Sequence, residues 1–180
     1  MGDQGTANPT GVLALWNDCK TSKESLYEKW YQGEHLHDRV SIPGFKLGRR
    51  HQSNDATPKY FTYYETESAE VLFSEAYLYQ LDNPSPLTRE VMQGVFTNVS
   101  RTVCSCVHRV GEPRGSHVIT ARSGRPSNID DLKTIADHLN NISGSLRCEV
   151  WVRYSLNSDP TDNNPRYEEQ IRGRDSRIEW

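Results

Sequence analysis

A seven-residue apolar run, Gly11 to Asn17 (GVLALWN), constrains this chain more than any other stretch. As a strand it puts Val12, Ala14 and Trp16 on one face and Leu13 and Leu15 on the other, because successive side chains alternate. Both faces are apolar, which places the strand inside a sheet covered on both sides. The rest of the chain must supply two covering layers. Its 180 residues suffice for one domain with a core, or one domain with an extension.

The next segment supplies a helical layer. Thr21 or Ser22 can cap a helix running from about Lys23 to Arg39. Leu26, Trp30, Gly33 and Leu36 trace one side of it, and Tyr27, Tyr31 and His35 an adjacent stripe at i, i+4 spacing. Pro43 and Gly44 then turn the chain. Phe45 to Gln52 reads as a second strand, with Phe45, Leu47, Arg49 and His51 on one face and Lys46, Gly48 and Arg50 on the other. Lys59 to Thr66 reads as a third strand from its aromatic and threonine content. A helix over Ala69–Leu81 is broken by Asn83-Pro84-Ser85-Pro86, and a further helix over Leu87–Phe96 precedes a strand over Val99–Val110.

The order is βαββαβ, a ferredoxin-like α+β unit over residues 11–110. Residues 1–10 read as a disordered lead. After a linker at 111–115 the pattern restarts, with a strand at Ser116–Ala121, a helix at Asn128–Asn141 and a strand at Arg147–Tyr154. A polar loop at 155–166 and a tail to Trp180 follow. Residues 116–180 thus read as an incomplete second ferredoxin-like unit or a barrel-completing extension. One helix-covered sheet leaves its other face open, and Leu13, Leu15, Phe61 and Tyr63 would make an unfavourable exposed patch there. Either a second chain or residues 116–180 must cover it, and both routes lead to an α+β barrel; the expected partner is a second copy, in a homodimer.

Composition excludes several classes. Net charge is -3 with no basic run, which argues against nucleic acid. No apolar run approaches the roughly 18 residues of a membrane span. The first residues lack a signal-peptide pattern, so the expected location is cytoplasmic. Cys19, Cys104, Cys106 and Cys148 form no CxxC pair and read as buried small side chains. No two-histidine-one-carboxylate spacing suits a metal, and no phosphate loop or nucleophile elbow is present. The expectation is no metal and no cofactor.

The segment WYQGEHLHDRVSIPGFKLGRR, followed by KYFTYYE, resembles the dimeric α+β barrel superfamily, and within it the EthD-like branch. The matching residues are Trp30, Tyr31, Glu34, His35 and Arg39 on the helix, Ile42 to Phe45 in the turn, and Gly48, Arg49 and Arg50 on the strand. The resemblance implies a barrel fold and a small-molecule site. Its relatives include cofactor-free monooxygenases, isomerases, cyclases, dehydratases and haem-degrading enzymes, so fold alone does not assign the reaction.

His35 is the first candidate for general acid or base, expected near its helix C-terminus where the dipole favours imidazolium. Arg49 is a candidate to hold a substrate carboxylate or enolate, and Tyr64 to donate its phenol. Trp30, Tyr31, Arg50, His51 and Glu65 are candidates for substrate contact. Arg49 and Arg50 face opposite sides of their strand, so at most one enters a given pocket. The alternative for either arginine is an ion pair with Glu65 on the neighbouring strand, or with Glu34 or Asp38, and Arg39 is expected to pair with a carboxylate near its helix end. The resulting expectation is a cofactor-independent enzyme that moves a proton on a small aromatic or cyclic carbonyl or carboxylate compound, as an isomerase, cyclase or lyase. The alternatives are a cofactor-free monooxygenase and a non-catalytic small-molecule-binding barrel.

Overall fold

The structure, a computed structural model, describes residues 10–123, 127–154 and 166–172. The lead at 1–9, the loop at 155–165 and the tail beyond 172 lie outside the described residues. The first apolar run becomes the central strand, β1 (Gly11–Cys19). It pairs antiparallel with β3 (Tyr60–Thr66) on one side and β4 (Phe96–Val110) on the other. β2 (Phe45–Gln52) flanks β3 and β5 (Cys148–Arg153) flanks β4, giving a five-stranded antiparallel sheet in the order β2-β3-β1-β4-β5. The first four strands and the helices between them have the ferredoxin-like order.

One face of the sheet carries the helices. α1 (Glu24–Trp30), a π-helical turn (Tyr31–His35) and α2 (Leu36–Val40) run on as one rod, with right-handed helical torsions at each join. Its buried positions are Tyr27, Trp30, Tyr31, His35 and Arg39, while Gly33 is exposed. The sheet-facing side therefore combines the aromatic stripe with Trp30, Leu26 and Leu36, and only Gly33 falls outside it. A four-residue spacing drifts by about 40° per step around an α-helix of 3.6 residues per turn. The π turn holds more residues per turn and takes that drift back, which keeps Arg39 on the stripe begun by Tyr27. Gly48 lets the rod approach β2: a Cβ there would lie 2.6 Å from Leu36 Cδ1 and 2.8 Å from a Tyr64 ring carbon. Gly44 turns the chain at a φ of +88°, where glycine has no steric cost.

The helix expected over Ala69–Leu81 is divided. A 3₁₀ turn (Ala69–Phe73) precedes α3 (Glu75–Asp82), because Ser74 goes extended and its side chain accepts from the Tyr77 N–H. The Ser85 side chain likewise caps α4 (Pro86–Gly94), with Pro86 at the start. Tyr27, Trp30, Tyr31, Tyr60, Val91 and Phe96 pack into one core beneath these helices. Leu13, Tyr64, Leu72, Tyr77 and Val103 form the next.

The back face departs from expectation. A bulge between Phe45 and Leu47 turns Phe45 to the helix side, against Tyr64 and Tyr77, and leaves Leu47 to the back. Leu13 and Leu15 face the helices, so the back cluster is Val12, Ala14, Trp16, Phe61, Tyr63 and the two thiols Cys104 and Cys106. Residues 116–121 form no strand, since β5 already holds the outer edge of β4. This stretch meets the back face instead. Thr120 Oγ1 accepts from Trp16 Nε1 at 3.2 Å, and the Arg122 guanidinium lies 3.9 Å over the Trp16 ring. α5 (Ile129–Asn140) packs beside β4 and β5, with His108 Nε2 2.8 Å from Asp137 Oδ1. Among the described residues, then, the chain past 110 adds one strand to the existing sheet and two helices, α5 and α6 (Tyr167–Arg172), and builds no second ferredoxin-like sheet. Trp16, Phe61 and Tyr63 are each no more than 9% exposed, so the open-patch argument for a second copy loses its premise.

Candidate active site

The helix rod and the sheet hold an aromatic layer between them, and the sequence candidates divide around it. Trp30 is fully buried and donates from Nε1 to Thr88 Oγ1 at 2.9 Å. The His35 ring packs 4.1 Å from Trp30, tilted by 31°, and lies 5.7 Å from Tyr31. Tyr31 Oη donates to Thr62 Oγ1 at 3.3 Å and pairs with Tyr64 Oη at 3.1 Å. Burial pushes both phenols above the usual tyrosine range, so both stay protonated. Helix, sheet register and ring packing thus bring His35, Trp30, Tyr31 and Tyr64 together.

His35 does not end its helix, because the rod continues to Val40. Burial, and then the charge of Arg39, hold its imidazole well below the ordinary histidine value. Desolvation and a like charge outweigh the helix dipole, and His35 is a neutral base near pH 7. Arg39 lies one turn further along the rod, 3% exposed, with its guanidinium 5.8 Å from the Tyr77 ring. It does pair with a carboxylate, but not a local one. Its partner is Glu168, 129 residues away on α6 (Tyr167–Arg172). Glu34 is occupied elsewhere, by the hydroxyls of Ser85 and Thr88 at the start of α4. His35, Asp38, Arg39, Thr88 and Glu168 are among the residues lining a narrow void of about 10 Å³, the scale of one water molecule.

Arg50 occupies the other end of the layer. Its guanidinium lies 4.5 Å from the Tyr31 ring, 5.1 Å from Tyr60 and 5.4 Å from Tyr27. It is paired with Glu28 on α1, and Glu24 accepts from Tyr60 Oη at 2.7 Å and Lys59 Nζ at 2.5 Å. These charges floor an open polar groove of about 820 Å³. Arg50 NH1 and Glu28 Oε1 are buried there without hydrogen-bond partners among the described residues.

Arg49 and Glu65 join neither end, and His51 reaches only the margin of the open groove. They follow the back-face alternation of Leu47 and Tyr63, across the sheet from His35 and Tyr64. His51 stacks on Tyr63 at 6.1 Å, nearly parallel, and burial and Arg49 lower its pKa. Glu65 pairs with neither strand arginine. Arg114 at 2.7 Å, Arg147 at 3.2 Å and Arg109 at 3.7 Å neutralise it, because β5 and the segment after β4 converge there. One pocket holding all eight candidates is therefore excluded by the two faces of the sheet. Sequence reasoning missed Glu168 altogether. The only signal there was Tyr167 and Ile171 at i, i+4 in a six-residue stretch, too short for a periodicity argument.

Among the described residues, no group of three or more His, Cys, Asp or Glu side chains converges as metal ligands, and no helix is long and apolar enough to cross a membrane. No family model matches the chain, and no curated protein matches it. Among solved structures, the chain is similar to a Nitrosomonas europaea protein that carries the name of an antibiotic biosynthesis monooxygenase. Identity is 14%, over 60% of this chain and 97% of that one, with a TM-score of 0.41. A likeness of that size carries no chemistry across.

Proposed function

We propose that the chain is a cofactor-independent catalyst of proton transfer on a small aromatic or cyclic carbonyl or carboxylate compound, acting at the His35–Arg39 end of the aromatic layer. One observation supports this above the others: a buried, neutral histidine stands one helical turn from a buried arginine, on a wall formed by Trp30. Nε2 or Nδ1 of His35 takes a proton from the carbon beside the substrate carbonyl. Arg39 holds the negative charge that develops on the carbonyl oxygen until reprotonation quenches it. His35 returns the proton to a different carbon, which completes an isomerisation; in a ring closure the enolate carbon instead bonds to a second carbonyl carbon of the same substrate and His35 gives the proton to that carbonyl's oxygen. Tyr64 and Tyr31, kept protonated by burial, serve as hydrogen-bond donors, and Trp30 as a flat apolar wall. Arg39 takes the role expected of Arg49.

The test is product analysis with aromatic acids, phenols and lactones for the wild type and His35→Gln. The expected result is turnover that falls by about 10²–10⁴-fold in His35→Gln while ligand binding persists. Equal turnover in both proteins removes His35 from the mechanism. Oxygen uptake during turnover assigns the chain instead to the cofactor-free monooxygenases, where the carbanion formed by the same base reacts with dioxygen. Ligand binding without any product favours a binding barrel.

A further inference from the structure

We propose that Arg39 is a carboxylate-binding subsite which Glu168 occupies from within the same chain, so that a monocarboxylate ligand enters by displacing α6. The proposal deepens the reading above and rests on it for the role of the site. It names the ligand class as aromatic or cyclic monocarboxylic acids.

The counter-ion is delivered by a short helix that is remote in sequence from the rod. Glu168 is 4% exposed and meets Arg39 in a fully enclosed pair. Three further contacts at the start of α6 lie at the periphery. Arg166 meets Asp82 at 3.0 Å, the Tyr167 N–H donates to Asp82 Oδ1 at 3.2 Å, and Arg89 lies 5.6 Å from the Tyr167 ring. Exposed pairs of this kind contribute little. The apolar anchor is Ile171, which packs on the core that includes Tyr27 and Trp30. A six-residue helix at the edge of the layer opens at lower cost than the five-stranded sheet does.

The chemistry beneath Glu168 is complete without it. The guanidinium is fixed by burial and by its place on the rod, one turn from the base. Asp38 borders the same void, yet the oxygen on Arg39 belongs to α6. Thr88 and Trp30 are already locked to each other, so a wall stands ready for a ring. A free carboxylate offers Arg39 the same planar pair of oxygens that Glu168 does and can use both. With α6 docked, the void of about 10 Å³ admits no such ligand. Its apparent affinity is therefore reduced by the fraction of molecules with α6 displaced.

The test uses the full-length chain, benzoate as probe and benzamide as an uncharged control of the same shape. Binding is measured by calorimetry, and docking of α6 by the rate of trypsin cleavage after Arg166 and Arg172. Benzoate is expected to bind Glu168→Gln at least about tenfold tighter than the wild type. It is also expected to accelerate cleavage at both arginines in the wild type, because it drives α6 off. Benzamide does neither, and Arg39→Gln binds no benzoate. The idea is overturned if benzoate fails to bind Glu168→Gln, or if it protects α6 in the wild type. The cleavage assay needs no variant, so misfolding of Glu168→Gln leaves the test intact. Benzoate binding without turnover of any substrate upholds the subsite and removes the catalytic reading. Turnover by a protein whose α6 and affinity ignore benzoate removes the subsite and upholds catalysis.

Discussion

Arg39 and Arg50 rest against the same layer of tyrosines, yet one is shut in and the other borders solvent. Arg50 projects from β2 and finds Glu28 on the adjacent rod, with three rings beneath it. Every member of that end comes from residues 19–60, and the groove above it is open. Arg39 projects from the rod itself, where its nearest carboxylates point elsewhere or to the side. Its charge is neutralised only when α6 arrives. Like residues in one layer therefore acquire different solvation according to which segment brings the counter-charge. A locally completed ion pair is a fixed part of the fold, whereas a remotely completed one leaves room for a competitor.

The largest expected effect is on what the two ends share. Trp30→Ala empties a fully buried site and removes the N–H that donates to Thr88 Oγ1, and should cost about 3–5 kcal/mol in denaturant unfolding. A loss under 1 kcal/mol would mean that the layer is not packed as one unit. Next comes Arg50→Gln, which removes a half-buried guanidinium from three rings and from Glu28. A cost of about 2 kcal/mol is expected, since a partly desolvated cation–π contact and an ion pair are lost together. Glu168→Gln should cost less than Arg50→Gln, and the reverse order would make the Arg39 end the structural one.

A pH titration sharpens the contrast further. The folded-state pKa of His35 lies well below its ordinary value, so the unfolded chain takes up a proton first as pH falls. Stability is then present above about pH 6.5 and is lost as pH drops below it, by at most about 1.4 kcal/mol per pH unit. His35→Gln should flatten this slope. His51, less buried and shifted in the same direction, should matter less. If His35→Gln leaves the slope between pH 7 and pH 5 unchanged, the histidine is solvated and the closed end is open. The smallest effect is expected at the groove rim: Lys59→Ala should leave the melting temperature unchanged, because that pair with Glu24 is solvent-screened.

Much of this architecture was legible before any coordinates. The tyrosines at i, i+4, the alternation in KYFTYYET and the doubly apolar GVLALWN run each name an element and the side it buries, because a regular backbone repeats its faces at a fixed period. That was enough to bring Trp30, Tyr31, His35 and Tyr64 together. The bulge at Phe45 and the π turn at Tyr31 were not legible, since each inserts a residue into a periodicity without a residue type that demands it. The strand expected at Ser116–Ala121 failed for a related reason: its alternation is adequate, but the edge it would have used was taken by β5.

By itself, then, the sequence determined the helix rod, the order of the first four strands and the clustering of aromatic rings about His35, all consequences of local spacing. Only the tertiary structure decided that Arg49, His51 and Glu65 stand behind the sheet and that Glu168 closes over Arg39. Pairing between charges 129 residues apart leaves no periodic trace. It is settled by which carboxylate reaches a buried cation first once the chain has closed, and no local pattern encodes that distance.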